Sequence, residues 1–189
     1  MTVGSLGSGL VWLAAACFLL SIVALVLRRE KWQGALFTAG CLSLVGTFVA
    51  LGALMVGHQF QYGYVWRHSD LNTPLGYRIA AIWSGQEGSF LLWAVASAIF
   101  GALVAPRMRH YRPVFTVASA LFLLGLSLIL CFESPYKIQP VDGLTLRPPD
   151  GNGLNPTLLN PWVQIHPPTI FLGFGSLTTL YSLAIAALW

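Results

Sequence analysis

Charge is what this chain lacks most. Its 189 residues carry ten Lys or Arg and six Asp or Glu, against 56% hydrophobic residues. A soluble domain of this size needs far more charge to cover its surface. Cysteine motifs are also missing. Cys17, Cys41 and Cys131 each lie inside an apolar run, with neither a CxxC nor a CxxCH pattern. That excludes a disulfide framework, a zinc knuckle and a covalent haem attachment site, and the three thiols read as small apolar side chains. Alternating segments of about ten residues do not recur, which excludes a transmembrane β-barrel. There is no internal repeat or low-complexity tract. The net charge of +4 does not indicate a nucleic-acid partner, because the basic residues flank apolar runs instead of forming one patch.

What is present is hydrophobicity in blocks of about 20 residues, enough to cross a hydrocarbon core of ~30 Å at ~1.5 Å per residue. The chain reads as an all-α, polytopic integral membrane protein with one membrane domain. Five spans are expected, over residues 9–27, 34–57, 89–105, 113–132 and 168–189. The first is too long for a signal-peptide core and is followed by Arg-Arg-Glu-Lys, not by a cleavage signature. Pro106 ends the third span, and Pro113 suits the first turn of the fourth. The fifth is still apolar at Trp189, so the expectation is the amino-terminal part of a longer or split protein. The alternative is a short chain whose terminus rests in the interface, with Trp189 in the aromatic belt.

Orientation follows from the short loops. Arg28, Arg29 and Lys31 fall in residues 28–33, and Arg107, Arg109 and Arg112 in residues 106–112. The much longer segments 58–87 and 133–167 share the remaining four basic residues. The positive-inside rule puts the short loops in the cytoplasm. The amino terminus and both long segments then face outward, into the periplasm of a Gram-negative cell.

Segment 58–87 mixes aromatic and polar residues. Phe60, Tyr62, Tyr64 and Trp66 alternate with Gln61, Gly63 and Val65, so an extended stretch would have one aromatic face. Such rings either anchor at the membrane surface or line a ligand groove. Asn72-Thr73-Pro74 marks a turn, Tyr77 to Trp83 suits a short helix lying on the membrane, and Gly85 and Gly88 bracket a break. Glu87 opens the third span. A carboxylate there either complements the helix dipole or partners a cation or proton at the interface, with Arg78 as the candidate partner.

Segment 133–167 is rich in Pro, Gly and Asn and too poor in apolar residues for its own core, so it must rest on the membrane helices. Asn155-Pro156 and Asn160-Pro161 each read as a cap followed by a first helical residue. His166 precedes two prolines, which favours an extended backbone there and a helix start at Pro168. The imidazole is thereby held at the outer mouth of the fifth span. Neutral imidazole ligates metals, haem iron among them, and Trp162, Phe171 and Phe174 would offer an apolar floor. A histidine beside prolines is also commonly a hydrogen-bonded structural residue. His58 and His68 are weaker ligand candidates, and His110 sits in a solvated Arg cluster.

The stretches TPLGYRIAAIWSGQEGSFLLW (73–93) and GLNPTLLNPWVQIHPPTIFLGF (153–174) resemble the amino-terminal third of the CcmF/NrfE/CcsA-type cytochrome c biogenesis proteins. These are haem-handling membrane proteins with a tryptophan-rich WWD segment. The resemblance implies a bacterial inner-membrane protein acting late in cytochrome c maturation. There, haem b, as substrate, is presented for thioether attachment to the CxxCH motif of apocytochrome c. Implied partners are apocytochrome c, other maturation membrane proteins, a haem chaperone or donor, and membrane lipid. His166 matches the family's histidine in the H-P-P motif, an axial ligand of the haem iron. The chain departs from the family in four respects. It has no WWD segment, no second outward histidine after one, and none of the later-helix histidines that hold a further haem b. Gln86 also stands where many relatives have His. The chain is therefore expected to be part of a cytochrome c haem lyase whose remaining segments lie elsewhere. Two other readings stand beside it. One is a non-catalytic structural membrane subunit that docks assembly partners. The other is a small transporter using Glu87 and Arg78, weakened because no span carries a charge at mid-depth.

Overall fold

A computed structural model describes residues 2–138 and 148–189. In chain order the helices are α1 (Val3–Val26), α2 (Glu30–Val56), the short α3 (Gly63–His68) and α4 (Leu75–Ala80), then α5 (Gln86–Val104), α6 (Arg112–Phe132) and α7 (Trp162–Leu188). Helices α1, α2, α5, α6 and α7 have the length and apolar content to cross a membrane. Among the described residues there is no strand, only an isolated bridge between Tyr62 and Ile138. The all-α, five-span expectation holds. Residues 139–147 of the second long segment lie outside the described residues.

Most helices start earlier than their apolar runs, because local chemistry extends them. Thr2 caps α1, its hydroxyl accepting from Ser5 N–H at 3.2 Å. Glu30 places a carboxylate in the first turn of α2, where the dipole favours it. Pro113 falls in the first turn of α6, as its fixed φ suits. Two helix ends close in the same way. After α1, Arg28 takes φ 55°, and the N–H groups of Arg28 and Arg29 bond to the carbonyls of Leu25 and Ala24. After α2, His58 takes φ 49°, and His58 and Gln59 bond back to Met55 and Leu54. Both are Schellman closures with a side-chain-bearing residue in the left-handed position, where glycine is usual.

In lipid every backbone and side-chain polar group needs an internal partner. Thr47 and Ser127 bond back to carbonyls of their own helices. Ser21 donates to the Gln33 carbonyl at 2.9 Å, and the buried Gln33 side chain donates to the Pro113 carbonyl at 2.7 Å. This chain of bonds ties the α1–α2 turn to the start of α6, so the two short basic loops share one end of the bundle. A cleft lined by Glu30, Lys31, Pro106 and Arg112 lies between them.

Phe18, Phe37, Leu44, Leu51, Leu91, Phe115, Leu123 and Leu130 fill the core. Cys17 and Cys41 are buried and Cys131 half-buried, all three as free thiols. Helix α1 lies along α2 and α6, and α5 joins α2, α6 and α7. Helix α7 is the least buried of the five, with Leu172, Leu177, Leu180 and Tyr181 exposed. Its contact with α5 depends on Gly175. A Cβ there would stand 2.8 Å from the Ala96 carbonyl carbon and 2.9 Å from the Ser97 nitrogen. Since the obstacle is backbone, it cannot rotate away. Gly175→Val is expected to destabilise the bundle by about 3 kcal/mol, at the upper end for overpacking, read as a lower melting temperature in detergent.

Candidate functional site

The two long segments meet at the other end of the bundle and are laced together. Gly63 N–H bonds to the Lys137 carbonyl at 3.0 Å, Asn152 N–H to the Trp66 carbonyl at 2.8 Å, and Leu71 N–H to Asp150 Oδ1 at 2.9 Å. The expected turn at 71–74 forms, and the Thr73 hydroxyl donates to Asp70 Oδ1 at 2.8 Å. The expected short helix is α4, continued by a 3-10 turn over Ala81–Trp83.

The aromatic stretch departs from expectation. Phe60 and Gln61 lie in turns, Tyr62 is extended, and α3 begins at Gly63. Phe60, Tyr62 and Tyr64 neither anchor in the interface nor line a groove; they are buried. Tyr62 packs on Gly4, and Tyr136 packs on Gly7 and donates to the Thr47 carbonyl. Rings from the cap thus seal the ends of α1 and α2.

Tyr64 organises the entry to α5. Its hydroxyl shares its hydrogen between the carbonyls of Ala81 and Ile82, at 3.1 and 2.9 Å, and accepts from Gly85 N–H at 3.1 Å. Burial pushes this phenol's pKa well up, so it stays protonated and able to donate. The close approach explains Gly88. A Cβ there would fall 1.8 Å from the Ile82 carbonyl oxygen and 2.2 Å from the Tyr64 hydroxyl. Gly88 is therefore inside α5, and the expected break occurs at its N-cap, Gly85.

The sequence paired Glu87 with Arg78, and the structure separates them. Glu87 Oε1 meets Arg67 at 2.8 Å. Arg67 ends α3 and Glu87 begins α5, so each charge also complements its own helix dipole. Arg78 instead closes the end of α2, donating to the Val56 carbonyl at 3.1 Å and to His58 Nε2 at 2.6 Å. A cation over a helix carboxy terminus is electrostatically favoured. It also secures the left-handed His58.

His68 is occupied as well. Its Nδ1 lies 2.8 Å from the Tyr64 carbonyl, its ring stacks on Tyr64 at 4.3 Å, and its Nε2 edge abuts Gly85. Burial lowers its pKa from about 6.5, and the Arg67 charge adds to this, against opposing effects of the Tyr64 carbonyl and Glu87. The ring is held neutral, with Nδ1–H donating. His110 lies at the basic end beside Tyr111, away from the cap.

His166 differs from His58 and His68, which are bonded, and from the similarly exposed and unbonded His110 in lying at the cap end. It is exposed, and among the described residues its ring has no hydrogen-bond partner. It is not extended, contrary to expectation, because α7 begins at Trp162 and includes Pro167 and Pro168. Both expected caps do form. Asn155 Oδ1 accepts from Thr157 N–H at 3.0 Å over a 3-10 turn (Pro156–Leu158), and Asn160 Oδ1 accepts from Trp162 N–H at 3.0 Å. Asn160-Pro161 therefore starts the long helix itself. Pro167 has no N–H for the Val163 carbonyl four residues back. Trp83 Nε1 supplies the missing donor, reaching that carbonyl at 2.9 Å. With the carbonyl satisfied from outside, the helix runs through the prolines.

Helical geometry then decides which residues share the His166 face. Trp162, four residues before, and Ile170, four residues after, lie on it, and both are exposed. Phe171, five residues on, is rotated by about 140° at ~100° per residue. Its ring packs edge-on against Phe174 at 5.8 Å, and Phe174 sits 5.4 Å from Trp93 in a groove between α5, α6 and α7. Of the expected floor, Trp162 is beside His166, while Phe171 and Phe174 face elsewhere. Sequence reasoning missed Tyr64, Arg67 and Trp83. Only Trp83 left a trace, since a proline at 167 implies a donor for the Val163 carbonyl without naming it.

What these elements define is a multi-pass helical membrane protein with one free imidazole at the mouth of its edge helix. A family model described as cytochrome C assembly protein matches residues 83–189. The chain belongs to the cytochrome c assembly protein family. It is 30% identical over 180 residues to the cytochrome c-type biogenesis protein ccl1 of Rhodobacter capsulatus, covering 89% of this chain and 27% of that one. It is 32% identical over 173 residues to the probable cytochrome c-type biogenesis protein NrfE of Escherichia coli, covering 85% and 30%. A solved cytochrome c heme lyase CcmF superposes with a TM-score of 0.82 at 25% identity, over 99% of this chain and 30% of that one. The chain thus spans less than a third of these relatives' length. The five apolar helices and bacterial relatives support a multi-pass bacterial inner-membrane protein, and the family implies haem involvement.

Two outcomes follow from the cap. His68 is neutral in the folded state and protonates more readily when exposed, so its stabilising packing is complete above about pH 6.5 and weakens as pH falls through and below that value. The melting temperature in detergent should drop between about pH 7.5 and 5.5, and His68→Phe should flatten that slope. Gly88→Ala should disrupt the Tyr64 hub and lower the melting temperature at every pH, because the Ile82 carbonyl occupies the space for its methyl.

Proposed function

We propose that this chain is the haem-presenting part of a cytochrome c maturation apparatus, in which His166 supplies an axial nitrogen to haem iron. The observation that carries this reading is the state of the four imidazoles. His58 bonds to Arg78 and His68 to the Tyr64 carbonyl, while His110 and His166 are exposed without a hydrogen-bond partner among the described residues; of these two, His110 lies at the basic end and His166 at the cap end. An imidazole with no hydrogen-bond partner, flanked on its own helix face by Trp162 and Ile170, fits the needs of an iron porphyrin. These residues account for one axial ligand and part of an apolar surface.

Haem b is the proposed substrate, and when bound it supplies the vinyl groups that react with the two thiols of an apocytochrome CxxCH motif. The chain's own part is to bind and orient. The prolines and the Asn160 cap limit how far the first turns of α7 can move. Trp162 and Ile170, on the same helix face, would give the bound group apolar surface. The basic loops at one end of the bundle support a cytoplasmic position for that end by the positive-inside rule, and with it a periplasmic position for the amino terminus and the laced cap. Apocytochrome c and any haem donor or chaperone would approach there. The length of the relatives supports further segments supplying the second ligand and the remaining contacts.

A second reading is that the chain docks assembly partners without touching haem. The exposed face of α7 favours it, since that helix is the least covered of the five. One substitution separates the two. In native membranes with the maturation system present, His166→Ala should remove the haem absorption band from the purified assembly and abolish attachment to apocytochrome. An unchanged band with lost partner co-purification would support docking instead.

A further inference from the structure

We propose that Trp83 is the positioning residue for His166, acting through the Val163 carbonyl; this rests on the reading of His166 as a haem ligand. The reasoning begins with hydrogen-bond accounting in α7. Trp162 is its first residue, so Pro167 and Pro168 are its sixth and seventh. Neither has an N–H, so the carbonyls of Val163 and Gln164 both lose their intrahelical donor. Two successive gaps weaken the ties of residues 163 and 164, just before His166, to the turn that follows. The Trp83 indole closes the first gap at 2.9 Å, three residues before His166. Val163 itself is buried, so water is a poor substitute donor.

Trp83 is well placed to hold that turn because it is fixed from its own side. The Ser89 hydroxyl donates to the Trp83 carbonyl at 3.0 Å. The two carbonyls before it, of Ala81 and Ile82, share the Tyr64 hydroxyl, and the Ser84 hydroxyl donates to Ala81 at 3.0 Å. Gly76 on α4 lies against the Gln164 side chain, a second contact from the same segment onto the same turn. Rigidity therefore passes from the Tyr64 hub through a 3-10 turn and an indole to the turn bearing the imidazole. It joins residues 80 apart in sequence, one from each of the two long segments.

A packing role for Trp83 and a hydrogen-bonding role predict different results in a double-mutant cycle. Trp83→Phe keeps the ring and removes the donor. Pro167→Ala restores a backbone N–H to the Val163 carbonyl and makes the indole donor redundant. The four chains are compared in native membranes with the full maturation system. The readouts are haem loss from the purified assembly and amide hydrogen exchange of residues 162–166. Trp83→Phe alone should speed haem loss by about 5- to 30-fold, the effect of leaving one buried carbonyl unpaired, and raise exchange of that turn. Adding Pro167→Ala should return both towards the parent. Equal effects of Trp83→Phe with and without Pro167→Ala, or none in either background, would overturn the proposal. His166→Ala serves as the reference. If it leaves haem binding intact, the ligand reading fails and the positioning role falls with it, while non-additive hydrogen exchange would still show the bond itself.

Discussion

A membrane helix with two adjacent prolines has to find donors for the carbonyls they strand, and the structure meets this need with an indole from a different loop. The Trp83–Val163 bond lets α7 begin at Trp162, six residues before the point where its apolar run suggests a start. Because the helix begins there, His166 is on a helical turn with Trp162 and Ile170 on its face. An extended His166 would have had different neighbours. The bond also fastens the two long segments to each other at the place where a ligand histidine would have to be held still. A proline in a helix interior ordinarily costs about 3 kcal/mol, and placing two near the amino terminus with an outside donor lowers that cost while stiffening the turn.

The cap around this bond uses charge sparingly and locally. Arg78 closes the end of α2, and Arg67 and Glu87 bridge the end of α3 to the start of α5. Each charge faces a helix terminus of complementary sign, so the partial charges of the backbone do much of the neutralisation. A proton path would need ionisable groups free to exchange partners at depth. Here both groups are spoken for at the surface, which leaves little support for a transporter. The aromatic residues of the two long segments have a similarly local purpose. Tyr62 of the first and Tyr136 of the second pack on α1, and their burial accounts for glycine at positions 4 and 7.

The gross fold was legible because it follows from hydropathy and charge. Five apolar blocks gave five helices, and the basic loops do share one end. Caps at Asn155 and Asn160 and the turn at 71–74 were legible because each depends on residues adjacent in sequence. What was not legible depends on partners far apart. The Glu87–Arg78 pairing failed because sequence proximity is a poor guide once α3 and α4 fold back, bringing Arg67 to Glu87 from 20 residues away. The extended His166 failed for the same reason, since the local proline rule was overridden by a donor 80 residues distant. Phe171 was assigned to the His166 floor by nearness in sequence, and the helical period that places it elsewhere applies only once the helix is known to begin before His166.

His166, the imidazole the fold leaves free at its cap end, is the proposed iron ligand, and the rest of the account stands on that role. Its most direct test is a structure of the intact haem-loaded assembly at a resolution that shows axial ligands. The account predicts a His166 ring nitrogen bonded to iron, Trp162 against the porphyrin edge, and the Trp83–Val163 bond in place. Iron ligated entirely by other residues, with the His166 ring turned to solvent, would contradict it.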